Sequence, residues 1–125
     1  MKNVDRYFIG GKWVEPAGDE TTEVLNPATE EVIATAAVPT REDAKRAIAA
    51  ARRILKKNGR IVVLDLLSHR FERARELYAD RWLGFSEVKL HQLLEQAGFR
   101  EIEVNVVSRE KQNPQFQTIF ATGLK

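Results

Sequence analysis

Cysteine is absent from the 125-residue chain. That excludes disulfides, thiolate metal sites and a cysteine nucleophile, and it is neutral about compartment. No apolar run approaches the roughly 20 residues needed to span a bilayer, and the N-terminus lacks the apolar stretch of a signal peptide. No block of one charge sign occurs either. Twenty Lys+Arg stand against 18 Asp+Glu, a net charge of +2, and the signs alternate along the chain. The pI near 9.0 rests on that small surplus, so neither a nucleic-acid footprint nor a membrane partner is indicated. What is present is 43% hydrophobic and 30% charged residues, the composition of a soluble globular protein, expected to be cytoplasmic. Length alone suggests one compact domain, since single cores take about 100–150 residues.

The local patterning divides the chain in two. Residues 5–38 read as β structure. Tyr7-Phe8-Ile9, Gly10-Gly11 and Lys12-Trp13-Val14 form a hairpin signal. Pro16 to Asp19 is a second turn. Thr22–Leu25 is extended, Asn26-Pro27 breaks it, and Glu31–Ala37 resumes. A small antiparallel meander is the economical reading, and a meander this short needs a cover for its apolar face. A helix from Thr40 to Lys57 follows. Thr40 caps it, with Asp43 in the place of the capping-box Glu. Ala44, Ala47, Ile48, Ala51, Ile54 and Leu55 share a stripe, and Asn58-Gly59 supplies the stop.

From Arg60 the pattern is α/β. Ile61–Leu64 is a continuous apolar run, expected for a strand covered on both faces. Phe71–Ala79 reads as a short helix. Ser86 caps another, with Leu90, Leu93, Leu94 and Ala97 on one face and Gly98 at its end. Ile102, Val104 and Val106 alternate as a strand, and a loop through Asn113-Pro114 leads to a last strand, Phe116–Thr122. Strand, helix, strand and hairpin return describe one edge of a doubly wound sheet.

Phe8-Ile9-x-Gly11-x-Trp13-Val14, Val24-x-Asn26-Pro27-Ala28-Thr29-x-Glu31-Val32-Ile33-Ala34, Arg41-Glu42-Asp43 and Ala47-x-x-Ala50-Ala51-Arg52 together resemble the N-terminus of the aldehyde dehydrogenase superfamily over residues 5–53. The resemblance implies NAD(P)-dependent aldehyde oxidation with a catalytic cysteine, a glutamate base and a dinucleotide site, all further along a much longer chain. Backbone carbonyls at Val24 and Leu25 would be part of a monovalent-cation site in some relatives, but its other ligands lie elsewhere, so the site is not carried over.

Ile54-Leu55-Lys56-x-x-Gly59-Arg60-Ile61-Val62-Val63-Leu64-Asp65 is similar to the helix, turn and fifth strand of class I S-adenosylmethionine-dependent methyltransferases. Trp82–Phe85, Leu93-Leu94-x-x-Ala97-Gly98-Phe99 and Pro114-x-Phe116 to Lys125 continue the likeness over about residues 50–125. In that family a Gly-rich loop and an acidic strand end hold the cofactor. Both would precede this segment, and Gly10-Gly11, in a hairpin, is no substitute.

The two resemblances meet near Ala49–Arg52. The expectation is therefore a chimera-like α/β chain. It has an aldehyde dehydrogenase-like segment (residues 1–53, a β-meander) and a methyltransferase-like segment (residues 54–125, a partial Rossmann-like mixed sheet), with a bridging helix between them. Its leading functional reading is a methyltransferase-like fragment without independent catalysis. The alternatives are an aldehyde dehydrogenase fragment and a self-associating scaffold or engineered chimera. No catalytic, cofactor-binding or metal residues are assigned. S-adenosylmethionine and NAD are implied only by the parent families, and neither is expected to bind.

Asp65, ending a strand, is the one substrate-side candidate; the plainer reading is a residue that satisfies the next turn. Asp65, Ser68 and His69 superficially offer a nucleophilic set, but clustering in one loop rarely gives triad geometry. His91 reads as solvated, Trp82 and Phe85 as loop anchors, and Arg70, Arg73 and Arg75 with Glu72 and Glu76 as a self-paired face. The open edge expected beside Ile61–Leu64 predicts self-association.

Overall fold

A computed structural model of the chain describes residues 2–73 and 83–125, with the backbone alone for residues 2–4. The fold is a small mixed α/β arrangement in two compact units, Met1–Arg53 and Ile54–Lys125, where length alone suggests one.

The first unit holds β1 (Lys2–Val4), β2 (Tyr7–Ile9), β3 (Lys12–Val14), β4 (Thr21–Leu25), β5 (Val32–Ala37) and α1 (Arg41–Ile54). Gly10 and Gly11 both have positive φ, 64° and 85°, the primed turn that matches strand twist in a two-residue hairpin. Across it Phe8 faces Trp13, edge to face with ring centroids 5.3 Å apart. The expected single meander is not what forms. The hairpin is a separate two-stranded sheet, while β4 pairs antiparallel and β1 parallel with β5. After β3 the chain passes Pro16, which has no N–H for a ladder, and bends at Ala17-Gly18. A Cβ on Gly18 would lie 2.7 Å from Thr40 Cγ2, so this bend can rest on the start of α1 only as glycine. The Asn26 break is an Asx turn: Asn26 Oδ1 accepts the Ala28 N–H at 2.9 Å.

Helix α1 ends at Ile54, short of the expected Lys57, and Asn58 takes the left-handed conformation (φ 61°) a turn later. Ala44, Ile48 and Ala51 are half-buried at i, i+4 and i+7. The predicted stripe was too wide: Ala47 is exposed, and Ile54 is 73% exposed.

The second unit holds β6 (Arg60–Leu66), α2 (Glu87–Gln96), β7 (Arg100–Arg109) and β8 (Gln117–Leu124). Strand β8 lies between β6 and β7, antiparallel to both, so β6 and β7 run parallel. Ser86 Oγ accepts the Lys89 N–H at 3.2 Å to open α2, and Gly98 (φ 86°) closes it. Leu90, Leu93 and Leu94 are buried, as are Phe99, Ile119 and Ala121, and these form the core.

The reading of β6 as covered on both faces is overturned. Its register sets Ile61, Val63 and Asp65 opposite Gly123, Ala121 and Ile119, on the core side. Val62 and Leu64 point the other way and are 57% and 63% exposed. An apolar run has no period, so it cannot report that one face is bare. Phe71–Arg73 is loop and turn, and the rest of the helix expected there lies outside the described residues, as does Trp82. Among the described residues no helix is long and apolar enough to cross a membrane.

Candidate functional site

Two polar clusters stand out, one in each unit. In the second unit, β6 runs through Asp65 into Leu67, Ser68 and His69. The β7–β8 connection, with its cis Asn113–Pro114 bond, comes back to the same end of the sheet. Open α/β sheets place ligands at this carboxyl end. A cleft of about 590 Å³ is lined here by His69, Arg70, Phe71, Asn113 and Pro114. The His69 ring packs on Phe116 at 4.7 Å, and Phe71 meets Phe116 edge-on at 6.0 Å.

Asp65 is not among these lining residues. Its Oδ1 accepts the N–H of Leu66 at 2.6 Å, which is the local backbone role. His69 Nδ1 accepts the Phe71 N–H at 3.3 Å. A nitrogen that accepts cannot also donate to a carboxylate, so Asp65, His69 and Ser68 do not form a triad. The ring proton then sits on Nε2, which is buried with no hydrogen-bond partner. His91 is exposed on α2, and no group of His, Asp and Glu among the described residues could hold a metal ion. Phe85 forms an isolated parallel bridge with Leu67, in keeping with an anchoring role. Arg70 and Arg73 are exposed; Arg75 and Glu76 lie outside the described residues.

The cluster in the first unit is built around Asp43, 3% exposed at the start of α1. Its Oδ2 accepts the Thr40 N–H at 2.9 Å and the Thr40 hydroxyl at 2.8 Å, and its Oδ1 accepts the Ala17 N–H at 3.0 Å. Arg46 Nη1 lies 3.7 Å from Oδ1 and also donates to the Glu15 carbonyl at 3.2 Å. Burial is the largest single influence on this carboxyl and opposes its charge. The bonds from Thr40 and Ala17 and the charge of Arg46 together outweigh it, so the pKa lies below the ordinary carboxylate value. The Tyr7 hydroxyl is buried without a hydrogen-bond partner, and its pKa is raised by burial and then by the Asp43 charge.

Thr40 with Asp43 is the capping pair expected from sequence. The bond to Ala17 was not foreseen, because no local spacing marks a backbone N–H in a distant loop. A carboxylate held charged, with its lone pairs committed to backbone and hydroxyl donors, is suited to holding a loop on a helix and not to moving protons.

The architecture is that of a small mixed α/β chain in two units, and the Asp43 cluster of the first serves its own backbone. Residues 13–79, more than half of the chain, match the aldehyde dehydrogenase family, and the chain belongs to that family. It is similar to malonate-semialdehyde dehydrogenase 2 of Bacillus mycoides, 34% identical over 90 residues, which are 70% of this chain and 18% of that protein. It is also similar to malonate-semialdehyde dehydrogenase 1 of Geobacillus kaustophilus, 50% identical over 48 residues (38% of this chain, 10% of that protein). A third relative is the chloroplastic betaine aldehyde dehydrogenase of Amaranthus hypochondriacus, 47% identical over 53 residues (42% and 11%). The chain thus spans less than a fifth of the length of these relatives. No solved structure matches it. The family match crosses Ile54 and runs to residue 79, so the stretch read as a methyltransferase helix, turn and fifth strand falls inside it. These matches give no support to a methyltransferase part or to a chimera.

Proposed function

We propose that this chain is a structural fragment of the aldehyde dehydrogenase type, which folds the N-terminal segment of that family and does not itself oxidise aldehydes. The observation that carries this reading is the Asp43 cluster. Among the described residues the most buried ionisable side chain ties a loop to a helix, and the one hydroxyl bonded to it, that of Thr40, is part of the same cap. The sequence has no cysteine to serve as the nucleophile that the family uses. The cleft beside His69 is lined, among the described residues, by an imidazole, a guanidinium, a phenyl ring, an amide and a proline, with no carboxylate. The test is incubation of the purified chain with NAD or NADP and a panel of aldehydes that includes malonate semialdehyde and betaine aldehyde. No reduced nicotinamide is expected; turnover proportional to chain concentration refutes the reading.

One observation keeps a second reading in play for residues 54–125. Strands β6 and β7 are parallel, with α2 between them in sequence and β8 returning between them in space. A methyltransferase-like origin of this unit fits that order. It still lacks a glycine-rich phosphate or ribose turn. Calorimetric titration with S-adenosylmethionine is expected to be flat, and saturable binding at low micromolar concentration would make this second reading the better one.

A further inference from the structure

Strand β6 keeps a short stretch of open backbone, and its limits are well defined. The Leu67 N–H bonds to the Gln117 carbonyl at 2.8 Å, and the Lys125 N–H bonds to the Gly59 carbonyl at 2.9 Å. Antiparallel alternation therefore turns the backbone groups of Ile61, Val63 and Asp65 toward β8 and those of Arg60, Val62, Leu64 and Leu66 away from it. The outward groups of Leu66 are already used. Its carbonyl accepts the Phe85 N–H at 2.9 Å, and its N–H goes to Asp65 Oδ1 at 2.6 Å. Beyond it, Ser68 donates to the Phe85 carbonyl at 2.9 Å and His69 to the Leu83 carbonyl at 3.0 Å. This edge thus already accepts a strand-like segment, which stops at Leu66. No strand among the described residues pairs with Arg60–Leu64 on that side. Val62 and Leu64 also carry the exposed apolar side chains of β6.

We propose that β6 pairs antiparallel with β6 of a second copy of this chain, about a two-fold axis at Val62. In this register Val62 meets the second copy's Val62, and Arg60 meets the second copy's Leu64. Roughly six backbone bonds form, and every open group is used. A register centred on Val63 would require the outward groups of Leu66, which are taken. One centred on Ile61 would set Leu64 against Asn58, whose φ of 61° is not extended. The stretch ends at the taken groups of Leu66 and at the left-handed Asn58, so in the Val62 register a second copy meets only open, extended backbone, and the same groups on both copies close a two-fold interface. The two Arg60 side chains fall at opposite ends of the pair. Each can lay its aliphatic stem over Leu64 while its charge stays with Glu101 of its own chain, 3.1 Å away.

The absence of cysteine makes the test direct. Val62→Cys introduces a single thiol at the centre of the pair, and Val107→Cys introduces one on β7, the other edge strand of the sheet, at nearly the same exposure, 57% against 56%. Directly bonded antiparallel partners have Cα atoms about 5.5 Å apart, within disulfide range. Sedimentation of the unmodified full chain should show a monomer–dimer equilibrium. Mild oxidation should cross-link Val62→Cys and leave Val107→Cys monomeric. Leu64→Lys, a charge of the kind that protects natural sheet edges, should weaken dimerisation roughly tenfold or more with unchanged circular dichroism. The proposal is overturned by a monomer mass at every concentration, by equal cross-linking of the two cysteine variants, or by a Leu64→Lys dimer as tight as the original. If Leu64→Lys does not fold, the cysteine pair decides alone.

Discussion

Asp43 Oδ1 accepts the backbone N–H of Ala17 at 3.0 Å, across 26 residues of sequence. The same carboxylate caps α1 through Thr40, so one side chain both starts the helix and ties the loop after the hairpin to it. Replacing Asp43 by Ala keeps the Thr40 hydroxyl as the cap of the helix but leaves the Ala17 and Thr40 N–H groups without their acceptor. Each buried donor stranded in this way costs about 1–3 kcal/mol. Asp43→Ala is therefore expected to destabilise the first unit by about 2–3 kcal/mol in urea unfolding followed by circular dichroism. Asp43→Asn, which keeps an acceptor but loses the charge, should fall between. A loss below about 0.5 kcal/mol for Asp43→Ala would show that the cluster is incidental.

The lowered pKa of Asp43 fixes the direction of its pH dependence. A carboxyl whose folded pKa lies below its unfolded value, near 3.9, stabilises the fold fully above that unfolded value. The contribution is lost as pH falls through the folded pKa. Stability of the original chain should thus decline on acidification below about pH 4 more steeply than that of Asp43→Asn, whose amide does not titrate. Parallel acid profiles for the two proteins would contradict the assignment.

How much of this was legible beforehand follows from the range of each interaction. The Gly10-Gly11 turn, the Thr40–Asp43 cap, and Ser86 with the leucine stripe of α2 are all local, and the sequence spells them out. What was missed is long-range. The parallel pairing of β1 with β5 and the bond from Ala17 to Asp43 join residues with no fixed spacing. The His69–Phe116 contact depends on the β7–β8 connection returning to the end of β6. The bare face of β6 could not be read from Ile61–Leu64, because four apolar residues in a row look the same whether one face is covered or both. Asp65 lies one residue before the end of β6, and spacing alone could not tell that its carboxylate accepts the next N–H. The family resemblance of the first segment includes a specific run from Val24 to Ala34 inside the matched residues, whereas that of the second rests on Ile54–Asp65, which the aldehyde dehydrogenase match covers, and on segments from Trp82 to Lys125 that lie beyond it.

Tyr7 offers a test of the cost of an unpartnered group. Its hydroxyl is buried without a bond while Asp43 exerts its charge nearby. Tyr7→Phe keeps the ring and removes the unsatisfied group, so stability should stay level or rise by up to about 1 kcal/mol. A drop of similar size would mean that the hydroxyl has an ordered partner, such as water.

Helix α1 gives a prediction opposite to the one its apolar pattern suggests. If Ile54 lay on the packed stripe, Ile54→Asp would bury an unpaired charge and abolish cooperative unfolding. At 73% exposure it should instead change stability by no more than about 0.5 kcal/mol. Ile48→Asp, on the half-buried face, should cost clearly more. Thermal melts of the two variants separate the cases.

In the second unit the decisive contacts are Leu94 on the sheet and Phe99 over Gly123. Leu94 is fully buried, at 0% exposure, and truncation of such a leucine costs about 2–5 kcal/mol, set by how far the cavity can collapse. Gly123 fails in the other direction. A Cβ there would lie 3.0 Å from the Phe99 Cβ, and overpacking of this kind costs about 1–3 kcal/mol. If the α2–sheet layer is packed as described, Leu94→Ala and Gly123→Ala both lower the denaturation midpoint. The crowding falls on the Phe99 Cβ, which leucine retains, so Phe99→Leu should recover none of the Gly123→Ala loss. Recovery of the Gly123→Ala loss by Phe99→Leu would place the crowding on the ring and not at its Cβ.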